Sequence, residues 1–307
     1  MNFYHVYWSK PANSKRWNIG DTQIIGNLWL YSLSVAYLKK LGQTINLYTD
    51  TKGKELLGHL PYDNIYTILD NISNDIPDCC WAYGKIFALS YVELGDIYID
   101  GDVFIKSEKC INKLKEYINY DGYFAGLEDP KQTTFNINEN DDDYQFYKLC
   151  IDNIYWEHNA WISHYDFPND IPVFGKYAYN GGVMIFNNND YKHKFVNSYE
   201  YMLSQLKQDE YFLNICKDDK TLCADLIFEQ RFLYEIGKNY KIAVLIDYYN
   251  RDEEQGLNRQ ADSIGFQHII GPYKYTIVDK YKHILKNIDP IIYEETMRVE
   301  SNYINEQ

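Results

Sequence analysis

The chain has 307 residues, of which 46% are hydrophobic and 24% charged, and its formal net charge is −14. This length and hydrophobic content exclude a wholly disordered chain and suffice for one large α/β domain or two small ones. The acidic balance argues against a nucleic-acid partner, because contacts with phosphates need a basic face.

Strand and helix patterns alternate through the first hundred residues. The predicted strands are residues 3–8, 44–50, 65–69 and 96–100, and the predicted helices are residues 27–42, 54–60 and 79–93. A polar loop, residues 9–21, follows the first strand. This alternation predicts an α/β fold with a mostly parallel sheet that is covered by helices on both faces.

The second half of the chain is less regular. The predicted strands are residues 121–128, 178–187 and 240–246, and the predicted helices are residues 191–206 and 223–236. A polar stretch, residues 129–170, contains the acidic run "ENDDDY". This run lacks the spacing of a calcium-binding loop, so we predict a solvated loop there.

No linker or internal repeat divides the sequence, so we predict one domain over residues 1–307. Its first half is expected at residues 1–105, its second half at residues 106–290, and a C-terminal helix at residues 291–307. No run reaches the ~20 apolar residues of a membrane span. The N-terminus also lacks the pattern of a signal peptide, and we therefore expect a cytoplasmic protein without a membrane span.

The six cysteines are scattered along the chain and form no CxxC pair. No histidine lies near them at the spacing of a metal site. These features favour free thiols over a disulfide framework or a zinc site.

The segment "DIYIDGDVFI" places two carboxylates, Asp100 and Asp102, at the end of the fourth predicted strand. In parallel sheets, ligands bind beyond the carboxyl ends of the strands. Two carboxylates held close together raise each other's pKa unless a cation lies between them. Oxygen ligands favour Mg²⁺ or Mn²⁺. The alternative is an acidic turn that faces water, but apolar residues on both sides favour a buried metal site.

Two further segments carry candidate residues. In "YNGGVMIF", Gly181 and Gly182 open a strand, as expected where a ligand or another backbone approaches closely, and Asn180 before them could offer its amide to a hydroxyl group. A tight bend into the strand is the alternative.

The third segment, "HIIGPYK", lies near the C-terminus. His268 could supply a neutral imidazole ligand, Gly271 a tight turn, and Lys274 an ammonium group for a phosphate. Each residue alone is more often structural, and their spacing makes the set of interest.

The order and separation of these segments resemble the glycogenin and lipopolysaccharide-glucosyltransferase family, which consists of retaining transferases with a GT-A fold. The matching positions are Asp100-Gly-Asp102, Asn180-Gly-Gly-Val183, Glu229-Gln230, His268 to Lys274 with Gly271 between, and Lys85 on the helix before the fourth strand. We expect a bacterial branch of that superfamily. Three features depart from the family: Glu229 stands where it usually has Asp, Tyr275 stands where it has Pro, and the loop after the first strand is unusual.

The resemblance implies a donor such as a UDP sugar and a carbohydrate or glycoconjugate acceptor. It also implies that residues 1–105 are the nucleotide-binding half and residues 106–290 the donor and acceptor half. Asp100, Asp102 and His268 would hold Mn²⁺ or Mg²⁺, which binds the diphosphate of the donor. Lys274 would stabilise the leaving diphosphate, and Gln230, with Glu229 beside it, would lie near the anomeric carbon. The other substrate-binding positions would be Lys85, Asn180, Gly181, Gly182 and Gly271.

Two alternatives remain open. In a haloacid-dehalogenase-type phosphatase, Asp100 would be the nucleophile and Asp102 the acid and base, with residues 217–219 as a distal acidic pair. That motif ordinarily closes the first strand of its domain, whereas three strand–helix units precede it here. The second alternative is a nucleotide-sugar-binding protein without turnover.

Overall fold

A computed structural model describes residues 1–12, 21–77, 80–128, 178–206, 229–230, 232–249, 259–269 and 273–305. Gly271, the acidic run within residues 129–170, residues 217–219 and most of the predicted helix at 223–236 lie outside these ranges.

The described part of the chain is built around a seven-stranded sheet with the order β3-β2-β1-β4-β7-β6-β8. The strands are β1 (Phe3–Tyr7), β2 (Ile45–Thr49), β3 (Asn64–Tyr66), β4 (Ile97–Ile99), β5 (Val103–Ile105), β6 (Gly122–Glu128), β7 (Ala178–Phe186), β8 (Ile242–Tyr249) and β9 (Phe266–His268). β5 and β9 form a separate two-stranded sheet.

The helices lie between and after these strands. They are α1 (Ser9–Ala12), α2 (Asp21–Lys40), α3 (Thr51–Leu57), α4 (Tyr83–Leu89), α5 (Glu108–Leu114), α6 (Asn189–Leu206), α7 (Phe232–Gly237), α8 (Arg259–Ile264), α9 (Tyr273–Thr276), α10 (Val278–Ile288) and α11 (Pro290–Asn305). No described helix is long and apolar enough to cross a membrane.

The large sheet is mostly parallel, as predicted. The neighbouring strands β3 and β2, β2 and β1, and β1 and β4 are parallel, and β6 is parallel to β8. β7 is antiparallel to both of its neighbours, β4 and β6. The α/β prediction is therefore confirmed, and β4 ends near the centre of the sheet, where β7 reverses the direction.

Helices cover both faces of the sheet because side chains alternate along each strand. In β1, Phe3 joins the core under α2, α10 and α11, whereas Tyr4 joins the core under α4, α6 and α7. α2 is apolar around most of its circumference, which is typical of an enclosed helix. It lies between the strands and the C-terminal helices α10 and α11.

Several predicted boundaries differ from the structure. The third predicted strand is short and is followed by a 3₁₀ turn, Ile68–Asn71. Among the described residues of the predicted helix at 79–93, those of α4 are α-helical. The polar loop after β1 begins with the short helix α1. The last described helix, α11, spans Pro290–Asn305, and α10 and the strands β5 and β9 were not predicted. Three-residue strands carry too few side chains for a detectable alternation.

Candidate functional site

The Asp-Gly-Asp turn lies at the carboxyl end of β4 and is fixed by backbone hydrogen bonds. The N–H of Asp100 donates to Gly182 O over 2.9 Å, and Val103 N–H donates to Asp100 O over 3.0 Å. The chain therefore reverses directly into β5. In the small sheet, Val103 pairs with His268, and Ile269 N–H donates to Asp102 O over 3.1 Å. This pairing places the His268 side chain beside the two carboxylates.

Asp100, Asp102 and His268 form the single cluster of potential metal ligands found among the described residues, with ligand atoms within 4.8 Å of one another. Nε2 of His268 lies 3.4 Å from Oδ1 of Asp102 and 4.0 Å from Oδ2 of Asp100. The structure thus brings together the three residues predicted as metal ligands, from two distant parts of the sequence.

In each carboxylate, the oxygen that lies farther from His268 accepts a hydrogen bond from a neighbouring side chain. Nζ of Lys274 donates to Oδ2 of Asp102 over 2.6 Å. The hydroxyl of Tyr98 donates to Oδ1 of Asp100, and Nζ of Lys85 lies 3.4 Å from the same atom. Each carboxylate is therefore oriented so that its remaining oxygen faces the His268 imidazole.

Oδ1 of Asp102 is buried and accepts no hydrogen bond from the described residues. A buried acceptor without a hydrogen bond costs about 1–3 kcal/mol. Asp102 as a whole is 8% exposed, so water has little access to it. A cation bound between Asp102, Asp100 and His268 would satisfy this atom. The two carboxylate oxygens suit a hard divalent cation, and the imidazole nitrogen of His268 adds a ligand that is typical of transition metals.

The ionisation of the site follows from its neighbours. Burial acts to raise the pKa of Asp102, but the Lys274 ammonium group and, after it, His268 together outweigh burial, so this pKa lies well below its usual value. Burial, and secondly the charge of Asp100, raise the pKa of the Tyr98 phenol well above 10. Near neutral pH, Asp102 is therefore ionised and Tyr98 stays a hydrogen-bond donor to Asp100.

A buried ion pair lies beside the carboxylates. Nζ of Lys85, on α4, lies 2.5 Å from Oε1 of Glu229, and these side chains are 7% and 1% exposed. The same ammonium group lies 5.3 Å from the ring centroid of Trp81 and 5.4 Å from that of Tyr98. Lys85 therefore links Glu229 to Asp100, and its position is fixed by aromatic rings.

The two glycines of β7 leave space for these side chains. A Cβ on Gly181 would overlap Oε1 of Glu229, and a Cβ on Gly182 would lie 2.5 Å from Cε1 of His268. Asn180 is buried, and its Oδ1 accepts a hydrogen bond from Gly182 N over 2.8 Å. The predicted close approach at these glycines is thus made by protein side chains.

The structure says less about two of the predicted site residues, Gln230 and Gly271. Gln230 follows Glu229 and is partly buried, and its role stays a prediction. Gly271 lies outside the described residues. Sequence reasoning missed Tyr98, although a strand places residues two apart on one face, and Tyr98 precedes Asp100 by two. It also missed Tyr31, whose ring occupies the space where a Cβ of Gly101 would lie.

The fold and site define an α/β protein with an Asp-Asp-His cluster at the carboxyl end of a central strand. The chain belongs to a family of unknown function (DUF6734), which it matches over residues 1–299. No curated protein matches the sequence.

Solved structures similar to the chain include the following three. A galactosyltransferase, LgtC, in complex with donor and acceptor sugar analogues has a TM-score of 0.43 and 10% identity over 94% of this chain and 96% of that chain. An active-site mutant of LgtC has a TM-score of 0.38 and 10% identity, covering 91% and 95%. Mouse xyloside xylosyltransferase 1, in its apo form, has a TM-score of 0.32 and 13% identity, covering 79% and 84%.

Proposed function

We propose that this protein is a metal-dependent glycosyltransferase. It would move a sugar from a nucleotide-diphosphate sugar, such as a UDP sugar, to a carbohydrate or glycoconjugate acceptor, with retention at the anomeric carbon. The observation that carries the proposal is the buried Oδ1 of Asp102, which accepts no hydrogen bond among the described residues and faces His268.

Asp100, Asp102 and His268 would hold Mn²⁺ or Mg²⁺. When bound, the ion supplies positive charge for the diphosphate of the donor and for the leaving group. One oxygen of each carboxylate accepts a hydrogen bond from Lys274 or Tyr98, and the other oxygen of each lies within 4.0 Å of Nε2 of His268.

The charges of the site support a coupling between metal and donor. Asp100, Asp102 and Glu229 face the ammonium groups of Lys85 and Lys274, which leaves an excess of one negative charge when a ligating imidazole is counted as neutral. A diphosphate would be repelled by this site alone. A divalent cation reverses the sign, so the nucleotide should bind only weakly in its absence.

The residues around the cluster have separate roles in this proposal. Lys274 stabilises the negative charge that grows on the leaving diphosphate. Lys85, Asn180, Gly181, Gly182 and Gly271 form the substrate-binding set. Gln230, with Glu229 beside it, is placed near the anomeric carbon, where the acceptor hydroxyl attacks from the face that the diphosphate leaves. A cytoplasmic location is part of the proposal, and cell fractionation tests it.

A thermal-shift panel of nucleotide diphosphates and their sugars, with and without Mn²⁺, tests the proposal. At a hundredfold excess over the dissociation constant, about 3 kcal/mol of stabilisation is expected from a ligand that binds the folded protein. We expect this stabilisation to require Mn²⁺ and to disappear in Asp102→Asn. Glu300→Gln is the matched control, because Glu300 is also a largely buried carboxylate, paired with Lys282 at 2.8 Å.

Three results would contradict the proposal. The first is an Asp102→Asn variant that binds Mn²⁺ and nucleotide as the parent does. The second is steady release of phosphate from a phosphomonoester with Mg²⁺ that is lost in Asp100→Asn, since this would indicate the phosphatase alternative. Binding of a nucleotide sugar without any transfer or hydrolysis would indicate the non-catalytic alternative.

A further inference from the structure

Gly26 lies inside the long helix α2, where glycine is unfavourable by about 1 kcal/mol relative to alanine. The structure shows what the missing side chain makes room for. A Cβ on Gly26 would overlap the ring of Tyr275 and would lie 3.0 Å from its Cε1 atom. The ring is buried, with 7% of the residue exposed, and the hydroxyl donates to Oδ1 of Asn27 over 3.1 Å. Tyr275 is thus fixed against α2 at both its ring and its hydroxyl.

Tyr275 follows Lys274 in the short helix α9, and the two side chains are in contact. Nζ of Lys274 lies 5.3 Å from the ring centroid of Tyr275 and 2.6 Å from Oδ2 of Asp102. A lysine side chain loses about 2 kcal/mol of rotamer entropy when it is held in one geometry. A fixed ring beside it restricts its conformations before any ligand binds.

Helix α2 also contacts the turn that carries Asp102, the partner of Lys274 in this ion pair. The ring of Tyr31 occupies the space beside Gly101, within the Asp-Gly-Asp turn, and its hydroxyl donates to Val6 O over 2.7 Å. Gly26 and Tyr31 are five residues apart, or about 7.5 Å along the helix axis. One rigid helix therefore contacts both the turn that carries Asp102 and the segment that carries Lys274.

We propose that Tyr275 is a positioning residue: its ring, seated in the space left by Gly26, holds the Lys274 ammonium group on Asp102. The catalytic consequence rests on the proposed function, whereas the positioning itself does not. The alternative is that Tyr275 only fills the core, in which case its removal would lower stability without changing the environment of the Lys274 amine.

Acylation of lysines by an N-hydroxysuccinimide ester, quantified by mass spectrometry of peptides, separates these two cases. Lys282 is the internal control, since it is also paired with a carboxylate and lies 4.9 Å from the ring centroid of Trp29. We expect Tyr275→Leu to raise the labelling rate of Lys274 relative to Lys282 by about fivefold, the change that about 1 kcal/mol produces in an equilibrium. Gly26→Ala should have the same effect by displacing the ring. Tyr275→Phe keeps the ring and should stay close to the parent.

A Lys274 labelling rate that is unchanged in folded Tyr275→Leu would overturn the proposal. If Gly26→Ala fails to fold, Tyr275→Leu decides alone, because it removes atoms and creates no overlap. A second arm measures the affinity for UDP with Mn²⁺ by calorimetry, and turnover once a donor sugar is known. Positioning predicts that turnover falls more than affinity. A parent protein that does not bind UDP with Mn²⁺ contradicts the proposed function, while the labelling result still decides the role of Tyr275.

Discussion

The Tyr98 hydroxyl donates to Oδ1 of Asp100, while Oδ2 of the same carboxylate faces Nε2 of His268 at 4.0 Å. The phenol therefore determines which oxygen of Asp100 is available to a ligand. Groups that orient metal ligands in this way commonly affect metal affinity by 10–100-fold.

Tyr98→Phe should accordingly weaken the binding of Mn²⁺, measured by calorimetry in the presence of UDP, by about tenfold. The matched control is Tyr4→Phe, because Tyr4 pairs with Tyr98 in the sheet and its ring centroid lies 5.5 Å away. An equal loss in both variants would indicate a general effect on the strands and not an orientation of Asp100.

The buried pair of Lys85 and Glu229 predicts non-additive changes in stability. Lys85→Met leaves a carboxylate that is 1% exposed next to an apolar side chain, and removing one partner of such a pair typically costs about 3–5 kcal/mol. Glu229→Met should cost a similar amount. The double variant should recover much of the free energy of unfolding, because the carboxylate left without Lys85 is then Asp100, which is 27% exposed, and not the buried Glu229. Urea denaturation of all four proteins measures the coupling.

The pair formed by Lys282 and Glu300 provides the comparison, since the Lys282 side chain is 24% exposed. The same substitutions there should cost less and show a smaller coupling. Equal losses at the two pairs would contradict the inference that burial makes the Lys85 pair indispensable. The double variant at Lys85 and Glu229 should remain without transferase activity even where its stability recovers.

The burial of His5 leads us to predict that the folded protein loses stability in acid. Its side chain is fully buried and hydrogen-bonds Tyr62 Oη at 2.9 Å and Ser34 Oγ at 3.1 Å. Burial lowers its pKa from 6.5 to about 3. Because the unfolded chain then binds a proton that the folded protein does not, stability is lost as the pH falls from about 6.5 towards 3, in total on the order of 4 kcal/mol.

Urea unfolding between pH 7 and pH 4 measures this loss. His5→Gln keeps a neutral polar side chain and should give a flatter dependence of stability on pH. His283→Gln, at an exposed position, should behave as the parent does. A parent and a His5→Gln variant with the same pH dependence would show that another group causes the acid sensitivity.

The sequence predicted the parts of the site that depend on local pattern. The Asp-Gly-Asp turn follows a buried strand, and the resemblance joined it to His268 and Lys274. The sequence did not predict the strand pairing that brings His268 next to the Asp-Gly-Asp turn. β5 and β9 have three residues each and are far apart in the sequence.

The packing around the site was also beyond prediction. Gly181 gives space to Glu229, and Gly26 gives space to Tyr275. Each of these contacts joins residues that are distant in the chain. A single sequence shows the position of a glycine but not which side chain packs against it in the fold. Gly26 also lies before the predicted start of its helix at residue 27, so the cost of a glycine inside a helix gave no signal there.

Lys274 gives the most direct test of the proposed chemistry. If its ammonium group stabilises charge that grows as the bond to the sugar breaks, it should matter more to the transition state than to donor binding. Lys274→Met should then lower kcat by a factor that corresponds to about 2–4 kcal/mol, while the affinity for the nucleotide sugar changes less. Lys274→Arg should recover only part of the activity, since a planar guanidinium does not replace a compact ammonium group against Asp102.

Lys282→Met is the control, because it removes a lysine that is paired with a carboxylate away from the cluster. Near-parental turnover in Lys274→Met would mean that the ammonium group only neutralises Asp102 and takes no part in the departure of the diphosphate.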